Sequence, residues 1–170
     1  MNFTEYNVND KNLEEILLAL KSLDAVEAVA LGGSRSTGEA DENSDYDIYV
    51  YCSEIPTGKT RENLLGKYCS VAEFGNHYWE SEDNTVMNNG TPVDIIYREI
   101  DRFGGYIDTV IKGGKAFNGY TTAFWHNIRN SKVLFDKTGT FTKFRDMAQI
   151  DYPENLRRAI IKNNLSLIHI

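Results

Sequence analysis

The sequence predicts an α+β fold, in which a small mixed β-sheet is flanked by helices and followed by a mainly helical C-terminal region. Apolar residues recur at helical spacing in residues 9–24. Short apolar runs at 26–31, 45–52 and 92–98 are bounded by glycine, asparagine or proline, which is typical of strands. Beyond residue 100 the helical pattern dominates. These observations favour a sheet formed mainly by the first 100 residues and helices in the rest of the chain.

The first helix, strand and turn follow one another directly. Asn9 or Asp10 can cap the helix that continues to residue 24. Strand 26–31 runs into the Gly32-Gly33 turn, and a short helical stretch is expected from about Ser34. This order of strand, glycine turn and helix is the context in which such a turn approaches a ligand. The second strand, 45–52, follows an acidic loop.

The next segment, residues 59–74, is compatible with a helix that begins after Pro56 and Gly58. Four apolar residues share one side of it: Leu64, Leu65, Tyr68 and Val71. Two short strands, 77–80 and 85–88, are then predicted around a polar turn at 81–84. The Asn89-Gly90 turn should fold the chain into strand 92–98.

The C-terminal region is predicted as helices 101–111, 121–130, 140–148 and 154–168, with a short strand at 132–135. Pro153 suits the first turn of the last helix. We therefore expect a core over residues 1–100 and a mainly helical region over 101–170 packed on it. The final helix runs to the chain end without a cap, so the start of a longer C-terminal helical domain is one interpretation of this region.

Composition limits the classes of function. With 170 residues, 41% hydrophobic and 25% charged, the chain can bury a substantial core. No apolar stretch is long enough to span a membrane, and residues 1–10 lack signal-peptide character, so a cytoplasmic protein is expected. The two cysteines, Cys52 and Cys69, are then expected to be free thiols. A net charge of −7 argues against extended nucleic-acid binding but permits binding of a single nucleotide.

The turn beginning at Gly32-Gly33 offers backbone N–H groups and the Ser34 hydroxyl, which suit phosphate oxygens. Arg35 could add a bidentate guanidinium contact to a phosphate. The alternative for Arg35 is an exposed arginine at the start of a helix, and the sequence leaves both open. Gly33, Ser34 and Arg35 are therefore the candidate phosphate-binding residues.

Asp45 and Asp47 stand two residues apart at the head of a strand, so their side chains project from the same face. Neighbouring carboxylates repel each other unless a cation lies between them, and Mg²⁺ bound to phosphate oxygens is a common solution. Asp94 lies between the apolar Val93 and Ile95 in a predicted strand. If that strand adjoins 45–52, three carboxylates meet, whereas a salt bridge to an arginine or an edge position facing water are the alternatives.

These residues resemble the nucleotidyltransferase superfamily that includes DNA polymerase β. The shared pattern is Gly33-Ser34, a gap of about ten residues, Asp45-Tyr46-Asp47 on a strand, and the later Asp94. The sequence around Gly-Ser-Arg is most similar to the small bacterial branch of antibiotic nucleotidyltransferases and minimal nucleotidyltransferase antitoxins. The resemblance covers about residues 23–99 and implies a polymerase β-like core.

The resemblance implies transfer of a nucleoside monophosphate, expected to be AMP from ATP, to an acceptor hydroxyl with release of pyrophosphate. Two Mg²⁺ ions would be held by Asp45, Asp47 and Asp94, which are the implied catalytic and metal-binding residues. The acceptor would be a small molecule such as an antibiotic, or a hydroxyl of a partner protein. The alternatives are a non-catalytic nucleotide-binding regulatory module and a structural domain that carries the motif residues by coincidence.

Overall fold

The computed structural model describes residues 8–117 and 122–168. Its strands are β1 (Val26–Leu31), β2 (Tyr46–Cys52), β3 (Cys69–Asn76), β4 (Ser81–Met87), β5 (Pro92–Glu99) and β6 (Lys132–Asp136). Its helices are α1 (Lys11–Lys21), α2 (Gly33–Thr37), α3 (Gly58–Leu65), α4 (Ile100–Ile111), α5 (Ala123–Asn130), α6 (Thr140–Ala148) and α7 (Glu154–Ile168). A single 3₁₀ turn, Gly66–Tyr68, joins α3 to β3.

All six strands form one mixed sheet in the order β3-β4-β5-β2-β1-β6. Strands β2 and β5 are parallel, and the other neighbouring pairs are antiparallel. The chain travels from β2 through α3, β3 and β4 before β5 returns beside β2, as a parallel pair requires. The predicted α+β class with a small mixed sheet is confirmed, and the parallel pair brings the amino ends of β2 and β5 together.

Each face of the sheet has its own hydrophobic core. On the face called here the α1/α3 face, α1 and α3 pack on residues that include Ile48, Val50 and Ile95. On the opposite face, called the α4–α7 face, residues of the four C-terminal helices pack on Tyr49 and Tyr51. Because strand side chains alternate, each strand contributes to both faces. Strand β6 pairs with β1 at the sheet edge, so the region beyond residue 100 supplies part of the sheet itself.

Helix α1 shows how closely local sequence determines one element. The Asp10 carboxylate accepts hydrogen bonds from the backbone N–H groups of Asn12 (2.9 Å) and Leu13 (3.4 Å), which satisfies donors that a helix start leaves unpaired. Its apolar side chains at helical spacing are buried: Leu13, Ile16, Leu17 and Leu20. Of the two predicted caps, Asp10 is the one used.

The prediction of a helix over residues 59–74 is wrong in its second half. Helix α3 ends at Leu65, and residues from Cys69 onward form β3, which pairs antiparallel with β4. Val71, assigned to the apolar side of that helix, is instead 65% exposed on the edge strand. Hairpin pairing with β4, rather than burial of an apolar stripe, determines this strand.

The predicted strand at 77–80 and turn at 81–84 are also wrong. Strand β4 begins at Ser81 and runs through the polar Glu82-Asp83-Asn84 segment without interruption. The turn lies later, at Asn89-Gly90, where Gly90 has φ of 88°. This correction matters for function because it places Asn84 opposite Asp94.

The elements beyond residue 100 lie close to their predicted positions. Thr121, predicted as the first residue of a helix, lies outside the described residues, and α5 begins at Ala123. Cys52 and Cys69 are free. Among the helices of residues 8–117 and 122–168, none combines the length and apolar character needed to cross a membrane.

Candidate active site

The glycine turn brings the backbone against the carboxylate of Asp47. The Gly32 N–H donates a hydrogen bond to the Asp47 carbonyl oxygen (2.9 Å), which ties the end of β1 to β2. Gly33 then adopts φ of 58°, in the left-handed region that favours glycine. A Cβ atom at Gly33 would lie 1.7 Å from Oδ2 of Asp47. Both the backbone conformation and the close approach therefore favour glycine here.

Ser34 follows in the first turn of α2 and is half-buried. Its carbonyl oxygen accepts the N–H groups of Gly38 and Glu39, both at 3.1 Å, so its backbone closes the short helix. Within the part of the chain described, the Ser34 hydroxyl makes no side-chain hydrogen bond. That hydroxyl is therefore available beside the turn that contacts Asp47.

Arg35 is directed to the loop that leads into β2. Its guanidinium donates hydrogen bonds to the carbonyl oxygens of Ser44 and Asp45, the latter at 2.9 Å from Nε. The same group lies over the Tyr46 ring, 4.1 Å from its centroid. These contacts fix the backbone that carries Asp45. In this arrangement Arg35 holds the loop that carries Asp45. A contact between Arg35 and a phosphate stays a prediction.

The structure brings Asp47 and Asp94 directly opposite each other. They are in register on the parallel strands β2 and β5, and both are half-buried on the α4–α7 face. Asp45 precedes β2 by one residue and is exposed. Thus two of the three predicted carboxylates face each other across neighbouring strands, and the third lies beside them at the strand entrance.

The surroundings of the Asp47 carboxylate disfavour its ionised form. Burial raises the pKa of Asp47 above its ordinary value, and the charges of Asp45 and Asp94 raise this pKa further. Repulsion of this kind is relieved when a cation enters between the carboxylates. The donor set of carboxylate oxygens is the type that Mg²⁺ prefers.

No group of three or more His, Cys, Asp or Glu side chains in residues 8–117 and 122–168 is already arranged around one point as a metal site. The exposed Asp45 side chain makes no hydrogen bond or ion pair with the described residues, so it can rotate towards Asp47. Asp47 and Asp94, in register on neighbouring strands, would therefore supply two carboxylates of a cation site, and rotation of Asp45 would bring the third.

Comparison with known families identifies the arrangement. A model described as the nucleotidyltransferase domain matches residues 13–117, which is more than half of the 170-residue chain. The chain belongs to the nucleotidyltransferase domain family. None of the curated proteins compared with the chain matches it. The superfamily predicted from the sequence motif is thereby confirmed.

The candidate site contains a polar residue that sequence reasoning missed. Asn84 on β4 lies in register with Asp94, and its Nδ2 donates a hydrogen bond to Oδ1 of Asp94 (2.9 Å). Asp47, Asp94, Asn84 and Glu73 therefore form one row across four strands. The sequence would have indicated this pairing if residues 81–84 had been assigned to a strand, because the Asn89-Gly90 turn then sets Asn84 opposite Asp94.

Glu82 was also missed. It lies on β4 opposite Ile96, so it shares the α4–α7 face with Asp94. Burial raises the pKa of Glu82, and the charges of Asp94 and Glu80 raise it further. The nucleotidyltransferase domain therefore has an acidic surface around its carboxylate pair, which favours positively charged ligands at this face.

Two cavities in the described part of the chain lie away from the carboxylates, and none of the three aspartates lines either. One, of about 560 Å³, is lined by Arg35 and Tyr46 beside the glycine turn. The other, of about 310 Å³, lies at the opposite end of β5 and is lined by Arg98 and Trp79 among others. Trp79 is thus a cavity-wall residue, whereas Trp125 is buried in the core and donates its indole N–H to the Ala148 carbonyl oxygen (2.8 Å).

The cavity at the end of β5 is lined by an ion pair between Arg98 and Glu80. Arg98 forms two hydrogen bonds of 2.7 Å with the Glu80 carboxylate and lies over the Tyr49 and Phe124 rings. Such a bidentate pair fixes the orientation of both side chains. Burial raises the pKa of Tyr49 to about 12, so its hydroxyl, which accepts a hydrogen bond from Asn127, stays protonated at neutral pH.

Proposed function

We propose that this nucleotidyltransferase is a Mg²⁺-dependent enzyme that moves AMP from ATP to an acceptor hydroxyl and releases pyrophosphate. One observation carries the proposal: Asp47 and Asp94 face each other in register, next to a turn whose backbone conformation and close approach to Asp47 favour glycine. Family membership supports nucleotidyl transfer in general. The choice of ATP, Mg²⁺ and a cytoplasmic location remains part of the proposal.

Each motif residue has a distinct role in this proposal. Asp45 and Asp47 would hold the ion that accompanies the nucleotide, and Asp47 and Asp94 the ion at the reacting oxygens. The Gly33 backbone and the Ser34 hydroxyl would bind the β- and γ-phosphates, and Arg35 is a further candidate for that contact. The bound ions would neutralise phosphate charge and polarise the α-phosphorus.

The reaction is an in-line displacement. The acceptor oxygen forms a bond to the α-phosphorus while the bond to the bridging oxygen of pyrophosphate breaks. The Asp94 carboxylate would bind the ion at the reacting oxygens and assist departure of the acceptor hydroxyl proton. Most of the rate effect would come from positioning and charge neutralisation, because no covalent intermediate with the protein is required.

The acceptor is proposed to be a small molecule, such as an antibiotic, or a hydroxyl of a partner protein. The acidic surface formed by Glu73, Glu82 and the aspartates supports an acceptor that carries positive charge. The net charge of −7 supports neither a nucleic-acid strand nor another polyanion as the acceptor.

A mass-shift screen tests the proposal. The protein is incubated with Mg²⁺, each of the four nucleoside triphosphates and a panel of hydroxyl-bearing small molecules and proteins, with Asp47→Asn as the inactive control. The expected result is a nucleoside monophosphate adduct on one acceptor class, with equimolar pyrophosphate, only in the wild type. Nucleotide binding without any adduct would instead favour the non-catalytic regulatory module.

A further inference from the structure

Asp94 is held by a chain of two asparagine side chains that reaches across the sheet. Asn84 Nδ2 donates to Oδ1 of Asp94 at 2.9 Å, and Asn76 Nδ2 donates to Oδ1 of Asn84 at 2.7 Å. Asn76 is buried at the end of β3, and Asn84 is half-buried in the middle of β4. The chain therefore leads from the interior of the β3–β4 hairpin to the carboxylate pair.

The direction of this chain follows from the chemistry of its groups. An ionised carboxylate only accepts hydrogen bonds, so Asn84 must present its amide nitrogen to Asp94. Its carbonyl oxygen then faces Asn76 and accepts a hydrogen bond from the Asn76 amide nitrogen. Each asparagine can satisfy its neighbour in one orientation alone. The pair thus fixes which atom of Asn84 meets Asp94.

Asp47 differs from Asp94 in this respect. No side-chain hydrogen bond to the Asp47 carboxylate is found among the described residues, whereas Oδ1 of Asp94 accepts one from Asn84. This hydrogen bond gives the Asp94 carboxylate a defined orientation and directs its other oxygen, whereas no side-chain donor of the described residues orients Asp47. Groups that orient metal ligands in this way typically change metal affinity 10- to 100-fold when they are removed.

We propose that Asn84, itself oriented by Asn76, is a positioning residue that presents one Asp94 oxygen to a divalent cation shared with Asp47. This inference rests on the proposed function, because it assumes that the carboxylates bind a cation with the nucleotide. It goes further in assigning roles to two residues outside the nucleotidyltransferase motif. The competing explanation is that the two asparagines only stabilise the hairpin.

Binding of Mn²⁺ separates these explanations. Paramagnetic resonance measures the free Mn²⁺ in the presence of a non-hydrolysable ATP analogue, so no turnover is needed. The variants are Asn84→Ala, which removes the donor to Asp94, and Asn76→Asp, which leaves Asn84 and Asp94 intact. Asn88→Ala is the matched control, since that asparagine follows β4 and donates instead to the Lys67 carbonyl oxygen.

For Asn84→Ala we expect roughly 10-fold weaker Mn²⁺ binding. Asn76→Asp should weaken binding by a similar factor, because a carboxylate facing the Asn84 carbonyl turns the Asn84 amide away from Asp94. Asn88→Ala should bind as the wild type does. A merely structural role predicts a lower unfolding temperature with an unchanged Mn²⁺ affinity in the folded protein.

The outcomes distinguish this assignment from the proposed function. If the wild type binds Mn²⁺ and Asn84→Ala binds it equally well, the assignment of Asn84 is wrong and the proposed function stands. If the wild type itself binds no Mn²⁺ with the nucleotide analogue, both are wrong. Should Asn76→Asp fail to fold, Asn76→Ala removes the donor to Asn84 Oδ1 without adding a charge and tests the same link.

Discussion

Asp83 and Asp47 lie on opposite faces of one sheet, and they differ in whether neighbouring groups stabilise the charge of the carboxylate. Asp83 faces α3, where Nη1 of Arg61 lies 3.4 Å from its Oδ1 and the Gly75 N–H donates to it at 2.8 Å. Burial raises the pKa of Asp83, and these two groups oppose that rise. For Asp47, burial and the two neighbouring aspartates all raise the pKa.

The difference separates a structural carboxylate from a candidate binding one. Both Asp83 and Arg61 are almost wholly inaccessible to solvent, so their charges are compensated inside the protein rather than by water. Asp47 remains half-buried, and nothing in its described surroundings offsets the repulsion. A buried acid with an internal counter-charge supports the fold, whereas an uncompensated acid at an open face is a candidate for binding a cation from outside.

The largest expected effect on stability concerns the Asp83 side of this comparison. Arg61→Met leaves Asp83 buried without its counter-charge, and we expect the free energy of unfolding to fall by about 3–5 kcal/mol. Urea denaturation measures the change. The double variant Arg61→Met/Asp83→Leu should recover most of the loss, because no unpaired charge remains. A cost for Arg61→Met no greater than that for the exposed Arg102→Met would contradict the structural role.

The largest expected effect on activity concerns Asp94. Asp94→Asn preserves the shape of the side chain but removes its charge, so we expect the transfer rate to fall roughly 10³-fold. Calorimetry should still detect nucleotide binding, since Asp45 and Asp47 are unchanged. Once an acceptor is known, steady-state transfer rates provide the measurement. Equal rates in the variant and the wild type would disprove the role assigned to Asp94.

A smaller effect is expected from Gly33→Ala, which tests the contact between the turn and Asp47. The added Cβ would lie 1.7 Å from Oδ2 of Asp47, so the carboxylate must move. Displacement of a reacting group by about 1 Å typically lowers the rate roughly 10²-fold. Gly38→Ala is the control, because φ there is also positive (83°) but no atom lies within 4 Å of the added Cβ. Similar transfer rates for both variants would show that backbone strain alone is responsible.

The smallest expected effect is a gain in stability from Asp47→Asn without Mg²⁺. Because the folded-state pKa of Asp47 is raised, its stabilising contribution is complete only below the ordinary aspartate pKa and is lost as pH rises through the raised value. At neutral pH the ionised carboxylate therefore destabilises the fold, and the neutral amide removes this penalty.

Thermal unfolding at several pH values measures this gain. At pH 7 we expect the Asp47→Asn variant to unfold about 2 °C higher than the wild type, and the gap should close as the pH falls towards 3. Mg²⁺ should raise the wild-type unfolding temperature more than that of the variant. A variant that unfolds at a lower temperature than the wild type at pH 7 would contradict uncompensated repulsion at Asp47.

The parts of the site that depend on local sequence could be predicted. The Gly32-Gly33 turn, the strand after Asp45 and the strand that contains Asp94 each have a local signature of glycine or alternating apolar residues. The superfamily followed from their order. The roles of Asp45, Asp47 and Asp94 as metal ligands remain predictions that only binding and activity can test.

The parts that depend on distant partners could not be predicted. Asp83 and Asn84 look like turn residues because they are polar and consecutive. In the structure, Asp83 meets Arg61 on one face, and Asn84 meets Asp94 on the other. A polar strand of this kind is stable only with those partners, and a sequence window does not contain them. Arg35 likewise gives no local indication that it binds the Ser44 and Asp45 carbonyls.

Calorimetric titration of ATP, with and without Mg²⁺, tests the central claim that the carboxylates bind a nucleotide through a cation. We predict binding by the wild type only with Mg²⁺, and marked weakening in Asp45→Ala. Glu42→Ala, which removes an exposed acid from the same loop, should bind as the wild type does. Binding that needs no Mg²⁺ and survives Asp45→Ala would contradict the claim.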